Sequence, residues 1–236
     1  MPSKNSVKQY LEGGFYHVYN RGVDKRIVFD DEMDYKIFLS YLKSYLLPPT
    51  PKQVRPVRQS KIFEEVQLIC YALMPNHFHL LLKQNTKYGI VGFMRRIGNA
   101  YTKYFNERHE RVGPLFQGKY KGVLVTEDSY LLHLTRYIHL NPAGIATLDD
   151  QNRSDLLSYP YSSYGEYLGS RNTTWIHPEE ILAFFNIAKT AFLQNNSSYK
   201  SFVEDYQINS AEVLAELTLE FEEKESKQKL NRSDLH

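Results

Sequence analysis

The chain has 236 residues, of which 42% are hydrophobic and 24% are charged, and its formal net charge at pH 7 is +2. These values are typical of an ordinary globular protein with one good-sized core. The sequence lacks both the apolar run of roughly 20 residues that a membrane-spanning helix needs and the apolar core of a signal peptide. The single cysteine, Cys70, excludes an internal disulfide and a multi-cysteine zinc site, so we expect a protein of the reducing cytoplasm.

The first half of the chain predicts two strands joined as a hairpin, preceded by a strand and a helix. Strand segments show alternating or continuous apolar residues, and the helix shows apolar residues at helical spacing behind acidic residues. The proline-rich residues 48–61 predict a surface loop, with a DNA-contacting arm as the alternative. The predicted strands are residues 15–20, 62–74 and 77–83, the last two joined at Pro75-Asn76, and the predicted helix follows residues 30–32.

The second half predicts another helix, a strand and a third helix. They cover residues 88–108, 115–125 and 129–140, and Asn141-Pro142 ends the third helix. The element order β-α-β-β-α-β predicts an α+β fold, a ferredoxin-like antiparallel sheet flanked by helices. The sequence changes character near residue 150, so we predict one domain at residues 1–150 and, at residues 151–236, an aromatic loop with a mostly helical C-terminal extension.

Two sets of polar residues are candidates for chemistry. His77 and His79 are separated by one residue, and on a strand they share a face about 7 Å apart, where two imidazoles can hold a divalent cation. The alternative is a pair of strand-edge histidines satisfied by water or a carbonyl. His133, Tyr137 and Asn141 follow one another at helical spacing of four and predict a common helix face.

The charges are unevenly distributed. Residues 86–122 contain eight lysines and arginines against two acidic residues, whereas residues 204–225 contain eight acidic residues against one lysine. A basic centre with an acidic tail favours a core that binds a polyanion such as a nucleic acid. The alternative is a solvated helical face.

Several motifs together resemble one family, in the same order along the chain. The string YALMPNHFHLLLK at residues 71–83 resembles the strand motif of HUH-type single-tyrosine transposases, particularly the REP-associated tyrosine transposases and related insertion-sequence enzymes. The other matching strings are YHVYNRG at residues 16–22, GPLFQGKYKGVLV at 113–125, YLLHLTRYIHLNPAG at 130–144 and YPYSSYGEYLG at 159–169. The resemblance implies the HUH endonuclease fold and makes residues 1–150 the catalytic domain.

The resemblance also implies roles for the candidate residues. From the residues alone, four tyrosines are candidates for the nucleophile: Tyr101, Tyr104, Tyr130 and Tyr137. The resemblance implies Tyr137, because its surrounding sequence matches the helix that carries the family's nucleophilic tyrosine. By the same match, the implied ligands of a divalent metal ion, Mg²⁺ or Mn²⁺, are His77, His79 and Asn141. Asn141 departs from the glutamine of the insertion-sequence branch and is shorter. His17 could lie near the pair, but we interpret it as a structural or DNA-contacting residue.

The implied substrate is a DNA hairpin with flanking single strand, cut and rejoined through a 5′-phosphotyrosine. A non-cleaving hairpin-binding protein and a metal nuclease that uses water as nucleophile are the alternatives, and a homodimer is one arrangement found in the family. Basic side chains would contact phosphates. The predicted DNA-binding residues are Arg21, Arg95, Arg96, Lys103, Lys119, Lys121 and Arg136.

Overall fold

The computed structural model describes residues 10–49, 61–144, 153–186 and 198–205. Four strands form one sheet: β1 (Phe15–Arg21), β2 (Val66–Met74), β3 (His77–Gln84) and β4 (Lys121–Val125). The helices are α1 (Glu32–Leu46), α2 (Ile62–Glu65), α3 (Gly89–Arg108), α4 (Asp128–Leu140), α5 (Tyr164–Tyr167), α6 (Glu179–Asn186) and α7 (Tyr199–Glu204). Most of the predicted loop at 48–61 and the last part of the predicted C-terminal extension, residues 206–236, lie outside the described residues.

The sheet has the strand order β2-β3-β1-β4, and each neighbouring pair is antiparallel. β2 and β3 form a hairpin whose last facing pair is Met74 and His77, so Pro75 and Asn76 make a two-residue turn. The predicted α+β class and antiparallel sheet are confirmed. Two predicted strands are shorter than expected, because residues 62–65 form a helical turn and the last strand begins only at Lys121.

The two faces of the sheet have different chemistry, which follows from strand alternation. On one face, side chains such as Val18, Phe78 and Leu80 pack with α1 and α3 in the larger apolar core. On the other face, His17, Tyr19 and His79 are fully buried beneath α4. One face of the sheet therefore carries the main core, and the other buries a polar cluster.

Residues 162–167 pack along β2. Ser162 bridges to Ala72, the Ser163 hydroxyl accepts from the Tyr71 amide at 2.8 Å, and the Tyr167 hydroxyl donates to the Ile69 carbonyl at 3.1 Å. These bonds occupy backbone groups on the outer edge of β2. The predicted division into two domains at residue 150 stays a prediction. Within the described ranges, none of the helices combines the length and apolar character that crossing a membrane requires.

Candidate active site

His77 and His79 lie on the same face of β3, next to the hairpin turn. Their ring centroids are 5.0 Å apart, and the ring planes are nearly perpendicular, at 87°. His77 is partly exposed at the end of the strand, whereas His79 is fully buried. His77 is therefore the member of the pair that solvent reaches.

Both ring nitrogens of His77 face carboxamide oxygens. Nδ1 is 2.6 Å from Oδ1 of Asn76, and Nε2 is 3.3 Å from Oδ1 of Asn141. A neutral imidazole carries a single N–H and can donate to one of these oxygens only. The other contact needs either a second proton or a cation between the two atoms.

His79 is held by a third histidine. Its Nδ1 is 2.9 Å from Nε2 of His17 on the neighbouring strand, and the two rings stack with centroids 5.1 Å apart. Its own Nε2 is buried and has no hydrogen-bond partner within the described part of the chain. Burial, together with His77 and His17 nearby, holds the pKa of His79 well below its usual range. His79 is therefore a neutral imidazole, the protonation state that a metal ligand requires.

Tyr137 lies on the face of α4 that packs on the histidines. Its ring meets the His79 ring edge-on, with centroids 5.4 Å apart, and the His17 ring at 6.2 Å. Its side chain is only 5% exposed. Asn141 caps the end of the same helix, one turn further along, so one helix supplies both Tyr137 and Asn141 to the histidine face.

His133 does not join this cluster, although its spacing predicted a common face. It contacts the Arg136 guanidinium and lies near the Phe202 ring of α7, at 6.0 Å between centroids. Burial and the Arg136 charge lower its pKa to about 4. The described residues contain no group of three histidine, cysteine or acidic side chains suited to a metal. Beside the histidine pair, the predicted third ligand Asn141 places its amide oxygen 3.3 Å from Nε2 of His77.

Arg136 is buried, unlike the other predicted DNA-binding residues. Its side chain is 1% exposed, donates to the Phe202 carbonyl at 3.2 Å, and packs over the Phe202 ring at 4.2 Å. In this position the guanidinium lies between α4 and α7, and its role in binding DNA stays a prediction. Local sequence did not indicate this burial, because the contact depends on a helix more than 60 residues away along the chain.

The other predicted DNA-binding residues divide between the two sides of the sheet. Arg21 faces His77 across the β1–β3 pair, and its guanidinium donates to Gln117 at 2.8 Å. Lys121, at the start of β4, faces Tyr19 across the β1–β4 pair. Lys119 lies just before β4 and is exposed. The remaining three are on α3, which packs on the opposite side of the sheet from the histidines: Arg95, Arg96 and Lys103.

The position of His17 was the main feature that sequence reasoning missed. The alternation of β1 allowed His17 to share the face of His77 and His79, but its role as the hydrogen-bond partner of His79 depends on strand pairing. β1 and β3 pair with Tyr19 opposite His79, which leaves His17 diagonal to it. A third histidine on a predicted neighbouring strand was the available signal.

Comparison with known proteins agrees with this arrangement. The family model described as "Transposase IS200 like" matches residues 55–141. A search of curated proteins found no significant match. The solved structure of a REP-associated tyrosine transposase bound to a REP hairpin is similar with a TM-score of 0.50 and 13% sequence identity, covering 74% of this chain and 98% of that one. This similarity confirms the HUH fold.

Two further structures are similar at lower TM-scores, which carry no weight for fold or function. One is a protein from Deinococcus radiodurans R1 named as a transposase, with a TM-score of 0.33 and 19% identity over 58% of this chain and 95% of that one. The other is a bacterial tRNA(His) guanylyltransferase-like protein in complex with GTP, with a TM-score of 0.35 and 10% identity over 64% and 69%. The segment from residue 55 to Asn141, which carries the histidine pair and Tyr137, therefore matches the IS200-like transposase family, in agreement with the resemblance of its motifs.

Proposed function

We propose that this chain is a metal-dependent transposase that cleaves and rejoins single-stranded or hairpin DNA through a covalent 5′-phosphotyrosine on Tyr137. The observation that carries the proposal is the buried Nε2 of His79, which has no hydrogen-bond partner among the described residues and lies in the same cluster as His77 and the Tyr137 ring. A purely structural histidine would have this nitrogen satisfied. The place of action would be the cytoplasm of a bacterium.

The residues of the cluster fit a divalent metal ion. Neutral imidazole nitrogens from His77 and His79 and the amide oxygen of Asn141 are suitable ligands for Mg²⁺ or Mn²⁺. His17 behind His79, and Asn76 behind His77, are the kind of hydrogen-bonded support that fixes a ligand's ring. When bound, such a metal would polarise a phosphate oxygen and orient the scissile group.

Tyr137 would act as the nucleophile. Its phenol loses a proton, the oxygen attacks phosphorus, and the bond from phosphorus to the 3′ oxygen breaks, leaving a 5′-phosphotyrosine and a free 3′-hydroxyl. The bond energy is conserved in the phosphotyrosine, so a 3′-hydroxyl can attack it and rejoin the strand without a nucleotide cofactor. Because the Tyr137 ring is largely buried against two histidines, its hydroxyl is held in a restricted range of positions.

Basic residues beside the cluster would position the DNA. Arg21 shares the sheet face with His77, and Lys119 and Lys121 follow at the adjacent edge. The similar REP-associated transposase was solved with a hairpin, which supports hairpin DNA as the substrate class here. Arg95, Arg96 and Lys103 could contact a flanking strand only on the other side of the sheet, and a homodimer would be one way to use both sides.

The test is a denaturing gel of the full chain with labelled hairpin DNA and Mn²⁺. The wild-type chain should form a covalent protein–DNA adduct, and Tyr137→Phe should lose it. The matched control is Tyr130→Phe, which alters an exposed tyrosine at the start of the same helix and should leave the adduct unchanged. Cleaved product without an adduct would favour water as the nucleophile, and binding without product would favour a hairpin-binding protein; either result contradicts the proposal.

A further inference from the structure

A second pocket lies away from the histidine cluster, between the loop after β1 and the C-terminal end of α3. Its volume is about 410 Å³, and it is lined by Arg26, Ile27, Asp30, Phe105, His109 and Arg111. The same loop holds the β2–β3 turn, because the Val28 and Phe29 amides both donate to the Pro75 carbonyl. The pocket therefore belongs to a loop that contacts the edge of the candidate active site.

One wall of the pocket is fixed by a buried carboxylate. Asp34 is fully buried, and its oxygens are 3.0 and 3.2 Å from Nε2 of His109. The same carboxylate accepts from Arg108 at 2.8 Å and Tyr104 at 3.0 Å. Nε2 of His109 is thereby held against the carboxylate, and its Nδ1 bonds to none of the described residues.

The pocket also has an aromatic surface and an uncompensated cation. The rings of Phe105 and His109 lie 4.2 Å apart, and the Arg111 guanidinium lies 5.9 Å from the Phe105 centroid. The Arg111 NH1 atom is buried and has no hydrogen-bond partner among the residues that the structure describes. Ile27, which is 51% exposed, adds apolar surface to the lining.

We propose that this pocket binds an unpaired base of the DNA substrate, with guanine preferred; this rests on the DNA-processing function proposed above. A flat ring fits an aromatic wall and a guanidinium, the usual means of holding unpaired bases. A phosphate offers only acceptors and negative charge, which the Asp30 carboxylate in the lining would repel. A base edge offers donors and acceptors together, as the pocket does.

The lining residues give a reason for the guanine preference. Arg111 and Arg26 can donate to O6 and N7 of guanine, the commonest specific arginine contact with a base. The Asp30 carboxylate can accept from the N1–H and the exocyclic amine of the same base. Thymine has no exocyclic amine, so it should bind weakest of the four bases.

The experiment is a fluorescence anisotropy titration of the full chain in EDTA, which prevents metal-dependent cleavage. The probes are labelled five-nucleotide strands of thymidine whose central position is guanine, thymine or an abasic site. We expect the guanine probe to bind about 10-fold more tightly than the other two. Arg111→Gln should remove this preference, whereas Lys43→Gln, an exposed charge near the far end of α1, should keep it.

The variant Asp30→Asn distinguishes whether the pocket binds a base or a phosphate. Its side chain is exposed at the surface, so the variant should fold normally. If the pocket binds a base, Asp30→Asn should reduce the preference for the guanine probe over the thymine probe. If the pocket binds a phosphate instead, the variant should bind all three probes more tightly, because it lacks a negative charge.

The proposal is overturned if the abasic probe binds as well as the guanine probe, if Arg111→Gln has no effect, if Asp30→Asn tightens all probes alike, or if none of the probes binds. A retained guanine preference without any phosphotyrosine adduct would reject the proposed chemistry at Tyr137 and leave the pocket intact.

Discussion

Replacing His17 with phenylalanine tests whether the histidine cluster is built to hold a metal. His17 is fully buried, and its Nε2 is the only hydrogen-bond partner of His79 Nδ1 found in the described residues. Phenylalanine keeps a flat, somewhat larger ring against Tyr19 and Tyr137 and removes both ring nitrogens. The His79 ring then loses the contact that fixes which of its nitrogens carries the proton.

The expected cost is large enough to measure. Removing the hydrogen-bonded support of a metal-binding histidine lowers metal affinity about 10- to 100-fold, or about 1.4 to 2.7 kcal/mol. The buried His79 Nδ1 is also left without a partner, which costs about 1 to 3 kcal/mol in unfolding free energy. His17→Phe should therefore weaken Mn²⁺ binding by one to two orders of magnitude and lower the melting temperature of the metal-free protein.

Calorimetric titration of the metal-free chain with Mn²⁺ measures the affinity, and circular dichroism confirms that the variant is folded. His133→Phe is the matched control, because it removes an imidazole from α4 that packs toward Phe202 and not toward the cluster. It should bind Mn²⁺ as the wild type does. Equal affinities for His17→Phe and the wild type would refute the assignment of His17 as the support of a metal ligand.

Two further predictions concern stability. Burial lowers the pKa of His139 to about 3, below its value near 6.5 in the unfolded chain. The unfolding free energy should therefore fall as the pH drops from 6.5 toward 3. This group contributes a loss of up to about 1.4 kcal/mol per pH unit. Urea melts at pH 4.5 and 7 should show a smaller loss for His139→Gln than for the wild type, and an equal loss would contradict this. At Gly22, an added Cβ would lie 2.2 Å from a backbone oxygen of the following loop, whereas at Gly98 it meets nothing within 4 Å. Gly22→Ala should lower the unfolding free energy by about 2 kcal/mol. Gly98→Ala, inside a helix, should raise it by up to about 1 kcal/mol. Similar melting temperatures for the two variants would refute the clash at Gly22.

The sequence predicted the parts of the molecule that depend on local periodicity. Strand alternation places His77 and His79 on one face, and helical spacing places Tyr137 and Asn141 together, because each pair lies within a single element. The contact of His17 with His79 could not be read in this way, since it depends on which strands pair and in which register. The direction of Arg136 depends likewise on the packing of α7 against α4, which local sequence does not encode.

The contrast between the two sheet faces bears on why the histidines are there. The face toward α1 and α3 is apolar and can stabilise the fold without help. The opposite face buries His17 and His79 completely and leaves one nitrogen unsatisfied, an arrangement that costs about 1 to 3 kcal/mol and gives nothing to folding. A ligand that binds only the folded chain offsets such a cost, by about 2.7 kcal/mol at 100 times its dissociation constant.

At the cluster, the stability of the metal-free chain should therefore be lower than it could be, and a double variant tests this expectation. His17→Phe with His79→Leu removes both polar partners together, so that neither is left unpaired. In EDTA the double variant should be at least as stable to urea as the wild type. In saturating Mn²⁺ the order should reverse, because only the wild type gains free energy from the metal. A double variant that loses several kcal/mol in EDTA would mean that the histidines hold the fold itself, and the metal would then have no part in explaining their burial.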